Sequence, residues 1–353
     1  MTVYGEPPVR PDRHRKPNLF KRAPRWAKIL IVLAAVLLLG SGGAALGGLL
    51  LVHRYESQVT HEDILGDAAP PTNHKRDPSA PLNLLLLGSD SRRGETGKGK
   101  VAGERSDTIM LLHISAARDS AVIISLPRDS YVDVPAGGPW KGDKNKLNAA
   151  FAFGGAPLAA KAIMQLTGVP LDGALVVHFA GIRQMVDAVG GVRVCVDYDV
   201  RSSFSNRVWN KGCHDMSGAV AEEFMRERKN VPGGDIGRMH QQQLVVQGVI
   251  EKVSAGGLLT NPLTFDRLLL TAAQSLTVDK SVDLRQLALT VKDIKPASVK
   301  YATVPYHNLD LKTPAGSAVE LNMTKAAGLF DAIRADRVDQ WLAANPPQTR
   351  GVP

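Results

Sequence analysis

The 353-residue sequence predicts an α/β fold: a layered α-β-α domain around a mixed central sheet, preceded by one transmembrane helix. Three short apolar runs stand at Leu82–Leu87, Ile109–Leu112 and Ala121–Leu126. Each is bounded by turn residues and too short for a helix, so each reads as a buried strand. Further on, strand patterns alternate with helical ones, as layered α/β domains require. Near the start, Ile29–Val52 is a run of 24 residues without a charge, long enough to cross a bilayer.

Residues 1–28 form a basic cytoplasmic segment, with eight Lys and Arg against Glu6 and Asp12. Its net +6 accounts for most of the chain's +9, so the remainder is only mildly basic and no nucleic-acid partner is inferred. Basic residues before residues 29–52 place the N-terminus in the cytoplasm and the rest outside. A cleavable signal peptide would use Gly43–Gly47, but its apolar core is usually about 7–15 residues; an uncleaved single-pass anchor in the cell membrane is preferred. Residues 53–81 are polar and contain Pro70, Pro71, Pro78 and Pro81, the composition of an extracytoplasmic stalk. The main domain is expected over 82–340 and a disordered tail over 341–353.

Within the domain, the step across Ala116–Ser120 is too short for a helical crossover, which makes the sheet mixed. Ser130–Trp140 reads as a turn-rich loop. A helix is expected over Pro157–Leu166, with Pro in its first turn and Gly168 ending it. Val176–Phe179 reads as a strand, Gly181–Val189 as a helix ending at Gly190-Gly191, and Val192–Val196 as a strand. Beyond Leu258 the pattern gives helices at Leu263–Ala273 and Val282–Val291, a strand at Val299–Val304 and a helix at Thr324–Arg334. Cys195 and Cys213, 18 positions apart in an extracytoplasmic region, are expected to form a disulfide rather than a catalytic thiol. No Cys/His cluster suggests zinc, and the nine His are scattered.

Chemistry gathers at the strand ends. Asp90 and Arg92 follow the first strand, Arg105 and Asp107 precede the second, and Arg128 and Asp129 follow the third. If the second strand runs against its neighbours, all three pairs meet at one edge of the sheet. Any one pair is well explained as a solvated salt bridge; three at consecutive strand ends point to a site. Arg binds phosphate bidentately, and Mg²⁺ sits on one or two carboxylates plus phosphate oxygens. A nucleotide P-loop is excluded, since the glycine spacing of Gly94–Gly99 is wrong and no Ser or Thr follows Lys98.

A second group lies downstream. A helix over Ser217–Glu223 followed by an extended segment would point Arg226 and Arg228 the same way, with a charged helix end as the competing account. Asp235 opens a helix to about Val253. Asp235, Arg238 and Gln242 fall on one face of it, at an N-terminus that favours anions. Asp235 as a simple helix cap is the alternative.

These motifs together resemble the LytR-CpsA-Psr cell-envelope family. That family carries a strand ending in Gly-Ser-Asp-Ser-Arg (Gly88–Arg92 here), then Arg-Ser-Asp-Thr (Arg105–Thr108) and Pro-Arg-Asp (Pro127–Asp129). Further matches are Lys146–Phe151 before Gly154-Gly155, Val186–Val192, Arg226–Arg228, Asp235–Arg238 and Gln242-Gln243. The resemblance is close over roughly residues 80–255 and looser to about 335.

The resemblance implies a glycopolymer phosphotransferase. Such an enzyme takes a polymer from a polyprenyl pyrophosphate carrier in the membrane and joins it to peptidoglycan through a phosphodiester. It assigns the pyrophosphate to Arg92, Arg105, Arg128, Arg226, Arg228, Arg238 and Gln242, and Mg²⁺ (or Mn²⁺) to Asp90 and Asp107. Asp90 or Asp235 would take the acceptor's proton. It also implies an apolar tunnel for the lipid, which aliphatic content alone does not distinguish from a packed core. One departure stands out: Gln241 occupies a position where the family commonly has Arg. Two alternatives belong to other classes: a non-catalytic module binding polyprenyl phosphate or wall polymer, and a membrane-linked transcriptional regulator. The regulator fits poorly, because the cytoplasmic segment has no helix-turn-helix pattern.

Overall fold

A computed structural model describes residues 54, 57–69, 77, 79–89, 106–255 and 262–346. The chain divides into two units, Met1–Arg54 and Tyr55–Pro353, and the elements named here belong to the second. The first half runs β1 (Thr60–Glu62), β2 (Leu82–Ser89), β3 (Ser106–Ile114), β4 (Ala121–Leu126), β5 (Tyr131–Val134), β6 (Asp143–Lys146), α1 (Leu147–Thr167), β7 (Gly173–His178) and α2 (Phe179–Ala188). Four short strands follow, β8 (Val192–Val196), β9 (Val200–Arg201), β10 (Val208–Trp209) and β11 (Gly212–Met216), and then α3 (Gly218–Arg226) and α4 (Asp235–Ser254). The chain continues through α5 (Pro262–Ser275), β12 (Leu276–Asp279), α6 (Leu284–Val291), β13 (Val299–Thr303), β14 (Tyr306–Thr313), β15 (Gly316–Leu321), α7 (Met323–Arg334) and α8 (Val338–Ala344).

Among the described residues, the central sheet has the order β1-β12-β7-β2-β3-β4-β13. β3 runs antiparallel to both β2 and β4, while β7 and β13 pair in parallel with β2 and β4. The sheet is therefore mixed. The end of β2, the start of β3 and the end of β4 share one rim. All six residues of β4 are buried, which is why its sequence is continuously apolar instead of alternating.

Both faces of the sheet are covered. Leu85, Leu87, Ile109, Leu111 and Ile124 pack with α1 and α7 in one core. Leu82, Leu84, Ile114 and Leu175 pack on the other side, where Ala273 of α5 and Leu284 and Leu287 of α6 meet them. A third cluster joins α2, α3 and α4 to β8–β11 through Val186, Val194, Phe224 and Val245. There Cys195 and Cys213 lie directly opposite each other on β8 and β11, joined by a disulfide.

Several boundaries differ from the expected ones. Residues 57–69 are not stalk: β1 extends the sheet beside β12, and Ile64 and Leu65 are buried in the core. Their amides donate to Asp279 Oδ2 at 2.7 and 2.9 Å. A polar strand at a sheet edge carries too little apolar signal to be recognised. The loop expected at Ser130–Trp140 opens a hairpin, β5–β6. The helix expected from Pro157 begins ten residues earlier, at Leu147, and kinks at Gly154 and Gly155 before Pro157 restarts it. α1 is long and apolar enough to cross a membrane by composition, yet Ala159, Ala160, Ala162 and Ile163 are fully buried in the domain core. The β14–β15 hairpin had no counterpart in the reading. α8 occupies 338–344, so the tail does not begin at 341. The segment 29–52 lies outside the described residues.

Candidate active site

β4 stops at Pro127, which has no N–H for a further ladder bond. The turn that follows is pinned from three sides. Ser130 N donates to Pro127 O at 3.0 Å, Asn148 N of α1 to Arg128 O at 2.9 Å, and Val319 N of β15 to Asp129 O at 2.8 Å. Asp129 accepts from Asn148 Nδ2 at 3.2 Å and lies 3.7 Å from Lys146 Nζ. The Lys-Leu-Asn sequence thus fixes Arg128 at the rim.

α4 approaches the same rim. Its first turn is preceded by Val231-Pro232-Gly233-Gly234, where both glycines take positive φ (75° and 57°). A side chain at either would be strained. Asp235 is the first residue inside the helix and Gly234 stands at the cap position, so the capping account of Asp235 does not hold.

Asp235 Oδ1 faces three guanidinium groups: Arg238 Nη2 at 2.6 Å, Arg128 Nε at 3.4 Å and Arg228 Nε at 3.9 Å. Arg238 is buried, and Asp235 and Arg128 are each only 12% exposed. Asp129 Oδ2 also lies 3.7 Å from Arg128 Nε, so two carboxylates stand among four cations, Lys146 included, and leave net positive charge in a partly dry place. Such an arrangement favours an anion with several acceptor oxygens. Gln242, also buried, accepts from Thr108 Oγ1 at 2.8 Å. Its Nε2 is buried and meets no acceptor among the described residues. Thr108 in turn crowds Gly88: a Cβ there would lie 2.7 Å from Thr108 Cβ. The glycine lets β2 and β3 close up where Thr108 reaches toward α4.

The structure thus brings Arg128, Arg228, Arg238, Asp235 and Gln242 together. Asp107 lies at the same rim, as the extra residue of a β-bulge between Gly88↔Thr108 and Ser89↔Ser106. Asp90, Arg92 and Arg105 lie outside the described residues.

Arg226 is not part of the cluster. α3 continues to Arg226 instead of ending at Glu223, so Arg226 and Arg228 do not share a face. Arg226 is 3.7 Å from Glu222 on its own helix and stacks 5.7 Å from the Phe204 ring centroid.

Two neighbouring residues explain that turn. Glu227, fully buried, accepts through Oε1 from the amides of Arg228 (2.9 Å), Lys229 (2.8 Å) and Asn230 (3.3 Å), and through Oε2 from Ser203 N. With its amide nitrogen turned inward, Gln241 donates to Phe224 O at 3.2 Å and Glu227 O at 2.9 Å. Position 241 therefore holds the end of α3. Reading the sequence alone missed Thr108, Glu227 and the structural use of Gln241. Thr108 closes the Arg-Ser-Asp-Thr motif and was visible in it; Glu227 carried no separate signal.

Comparison with known proteins follows the same lines. Residues 49–328 match the model of the LytR_cpsA_psr family. The chain is 32% identical over 237 residues to a Corynebacterium glutamicum protein named "Probable cell wall biosynthesis protein LcpB", covering 64% of this chain and 55% of that one. It is 35% identical over 182 residues to a Bacillus cereus protein named polyisoprenyl-teichoic acid–peptidoglycan teichoic acid transferase TagU, covering 52% and 56%. The chain spans about half the length of these curated relatives. Among solved structures, protein gbs0355 from Streptococcus agalactiae superposes with a TM-score of 0.62 at 25% identity, covering 73% of this chain and 88% of that one. A LytR-Csp2A-Psr enzyme from Actinomyces oris shares the fold, with a TM-score of 0.59 at 21% identity over 78% and 95% of the two chains.

Proposed function

This chain belongs to the LytR_cpsA_psr family, and from that premise we propose that it transfers a glycopolymer from a polyprenyl pyrophosphate carrier to a peptidoglycan hydroxyl. The observation that carries this reading is the meeting of Arg128, Arg228 and Arg238 around Asp235. The acceptor oxygen attacks the phosphorus next to the polymer. The bond from that phosphorus to the bridging oxygen breaks, polyprenyl phosphate leaves with the electron pair, and a phosphodiester joins polymer to acceptor. The three guanidinium groups hold the negative charge that accumulates on the phosphoryl oxygens, and Gln242 Nε2 supplies a neutral donor to one of them.

Carboxylates are the oxygen ligands that Mg²⁺ takes alongside phosphate oxygens. Asp107 sits on a backbone bulge between β2 and β3, and in sequence Asp90 directly follows Ser89, the strand partner of Ser106. Asp90 and Asp107 would hold Mg²⁺ (or Mn²⁺), which supplies charge neutralisation for the departing phosphate. Asp235 is engaged by three guanidinium groups, so the acceptor's proton is assigned to Asp90. Gln241 gives no support to a binding-only module, because its amide serves α3. Residues 29–52 anchor the chain in the cell membrane with the domain outside, beside lipid-borne donors.

The test uses the full chain in detergent with Mg²⁺, a polyprenyl-pyrophosphate-linked glycan and peptidoglycan strands. Mass spectrometry should find free polyprenyl phosphate and a new phosphodiester in equal amounts. Bound donor with neither product would establish the binding module instead.

A further inference from the structure

The loop between β9 and β10 has no part in the transfer chemistry, yet it holds apolar groups out in solvent. Phe204 at its tip is 59% exposed and Val208 41%. The loop is tied internally. Ser202 Oγ accepts from the amides of Phe204 and Ser205 at 3.0 and 3.1 Å, and Ser205 Oγ accepts from Arg207 N at 3.1 Å. Glu227 Oε2 accepts from Ser203 N, Glu223 from the Ser205 hydroxyl, and Arg201 O from Asn230 Nδ2 at 3.1 Å. Phe204 is thus presented in one place, and little ordering remains to be lost when something covers it.

Cations flank the ring. Residues 200–212 contain Arg201, Arg207 and Lys211 and no Asp or Glu, and Arg201 and Arg207 stand exposed three positions either side of Phe204. Arg226 stacks 5.7 Å from the ring centroid. The acids that come near are already engaged: Glu227 is buried, Glu223 lies 3.4 Å from Arg207 Nε, and Glu222 lies 3.7 Å from Nη1 of both Arg183 and Arg226. An exposed aromatic ring among guanidinium groups matches the boundary of an anionic lipid surface, where the ring meets acyl chains and the cations meet phosphates.

Two relationships favour lipid over a protein partner. Glu227 is shared: Oε2 holds Ser203 of the loop, while Oε1 holds the amide of Arg228, a member of the guanidinium cluster. The loop therefore sits beside the group read as the site of a lipid-borne donor. In addition, Thr60 of β1 is level with Thr277, Thr277 with Val176, and Val176 with Leu87. β1 thus runs against β2, and the chain enters the domain at the rim that carries the cluster.

We infer that the β9–β10 loop is a membrane-contact site: Phe204 inserts into an anionic phospholipid surface while Arg201 and Arg207 meet its phosphates, holding the cluster at the level of lipid-borne pyrophosphate. The inference rests on reading the cluster as the donor's site and residues 29–52 as the anchor.

The full chain reconstituted in vesicles tests this, with an environment-sensitive dye on Asn206→Cys, an exposed position beside the tip. Cys195 and Cys213 are bonded to each other, so the dye reacts at position 206 alone. Vesicles of phosphatidylcholine are compared with an equal mixture of phosphatidylcholine and phosphatidylglycerol, each with and without doxyl-labelled lipid. In the anionic vesicles the emission should shift to the blue and the doxyl lipid should quench it. Quenching should be about fivefold weaker in the neutral vesicles, where the attracting surface potential is gone. Phe204→Ser should weaken it about fivefold in both. Arg201→Gln combined with Arg207→Gln should erase the difference between the lipids. Arg201→Gln alone, which leaves the Glu223 pair intact, should remove about half of it. A blue shift without doxyl quenching places the tip against protein and overturns the inference, as does quenching untouched by Phe204→Ser. Release of polyprenyl phosphate is followed on the same samples, where Phe204→Ser should match the parent in detergent and fall about fivefold behind it in vesicles. Release without lipid quenching overturns the membrane contact alone, whereas quenching with no release overturns the transferase reading and leaves the contact standing.

Discussion

Arg238 Nη2 lies 2.6 Å from Asp235 Oδ1, one turn along the same helix. The pair sets a buried guanidinium in place before any ligand arrives. Arg128, brought by a different element, comes to 3.4 Å from the same oxygen. The carboxylate keeps mutually repelling cations together at one place.

Asp235→Asn should therefore destabilise the domain by about 3 kcal/mol, as expected when one partner is removed from a buried ionic group. Inorganic pyrophosphate should then raise the unfolding midpoint more in the variant than in the parent, since it replaces the missing charge. Thermal unfolding with and without pyrophosphate measures both. Equal shifts in the two proteins would mean that the anion does not bind at this cluster.

Gly88→Ala tests the route from β2 to the site. Its new methyl would stand 2.7 Å from Thr108 Cβ, and relieving that overlap costs about 1–3 kcal/mol. Thr108 should lose its bond to Gln242, so the KM for donor should rise while mixed α/β circular dichroism is retained. An unchanged KM would separate Gln242 from donor binding.

Glu227 provides a pH dependence. Burial opposes ionisation of its carboxyl, but the N–H groups of Ser203, Asn230 and Lys229 outweigh burial and hold it below the ordinary glutamate range. The unfolded chain therefore takes up the proton first. The stabilisation is complete above the unfolded value and drains away as the pH falls through the folded one. Glu227→Gln should cost about 1–3 kcal/mol at neutral pH and flatten the loss of stability on acidification. Urea unfolding across the acid range reads this directly; superimposable acid limbs would contradict it.

Much of this site could be read from the chain because β2, β3 and β4 announce themselves. Strands buried on both faces must be apolar throughout, and Asp and Arg at their ends stand out against that background. The helical spacing of Asp235, Arg238 and Gln242 was equally plain. Arg226 misled because the end of α3 is set by a distant residue: Gln241 takes up the carbonyls of Phe224 and Glu227, and nothing near Arg226 in sequence signals it. Residues 57–69 misled for a related reason. Their membership of the sheet depends on Asp279, more than two hundred positions away.

The release of polyprenyl phosphate by Arg128→Ala bears most directly on the anion cluster. The full chain in detergent, with Mg²⁺ and a polyprenyl-pyrophosphate-linked glycan, is compared with this variant and with Arg193→Ala, an exposed position on β8. The variant at 128 should release product at least about 100-fold more slowly, as when one electrostatic donor is lost, with its unfolding midpoint nearly unchanged and Arg193→Ala at the parent rate. Parent-like release by Arg128→Ala, or a loss matched by unfolding, would contradict a phosphate-holding role.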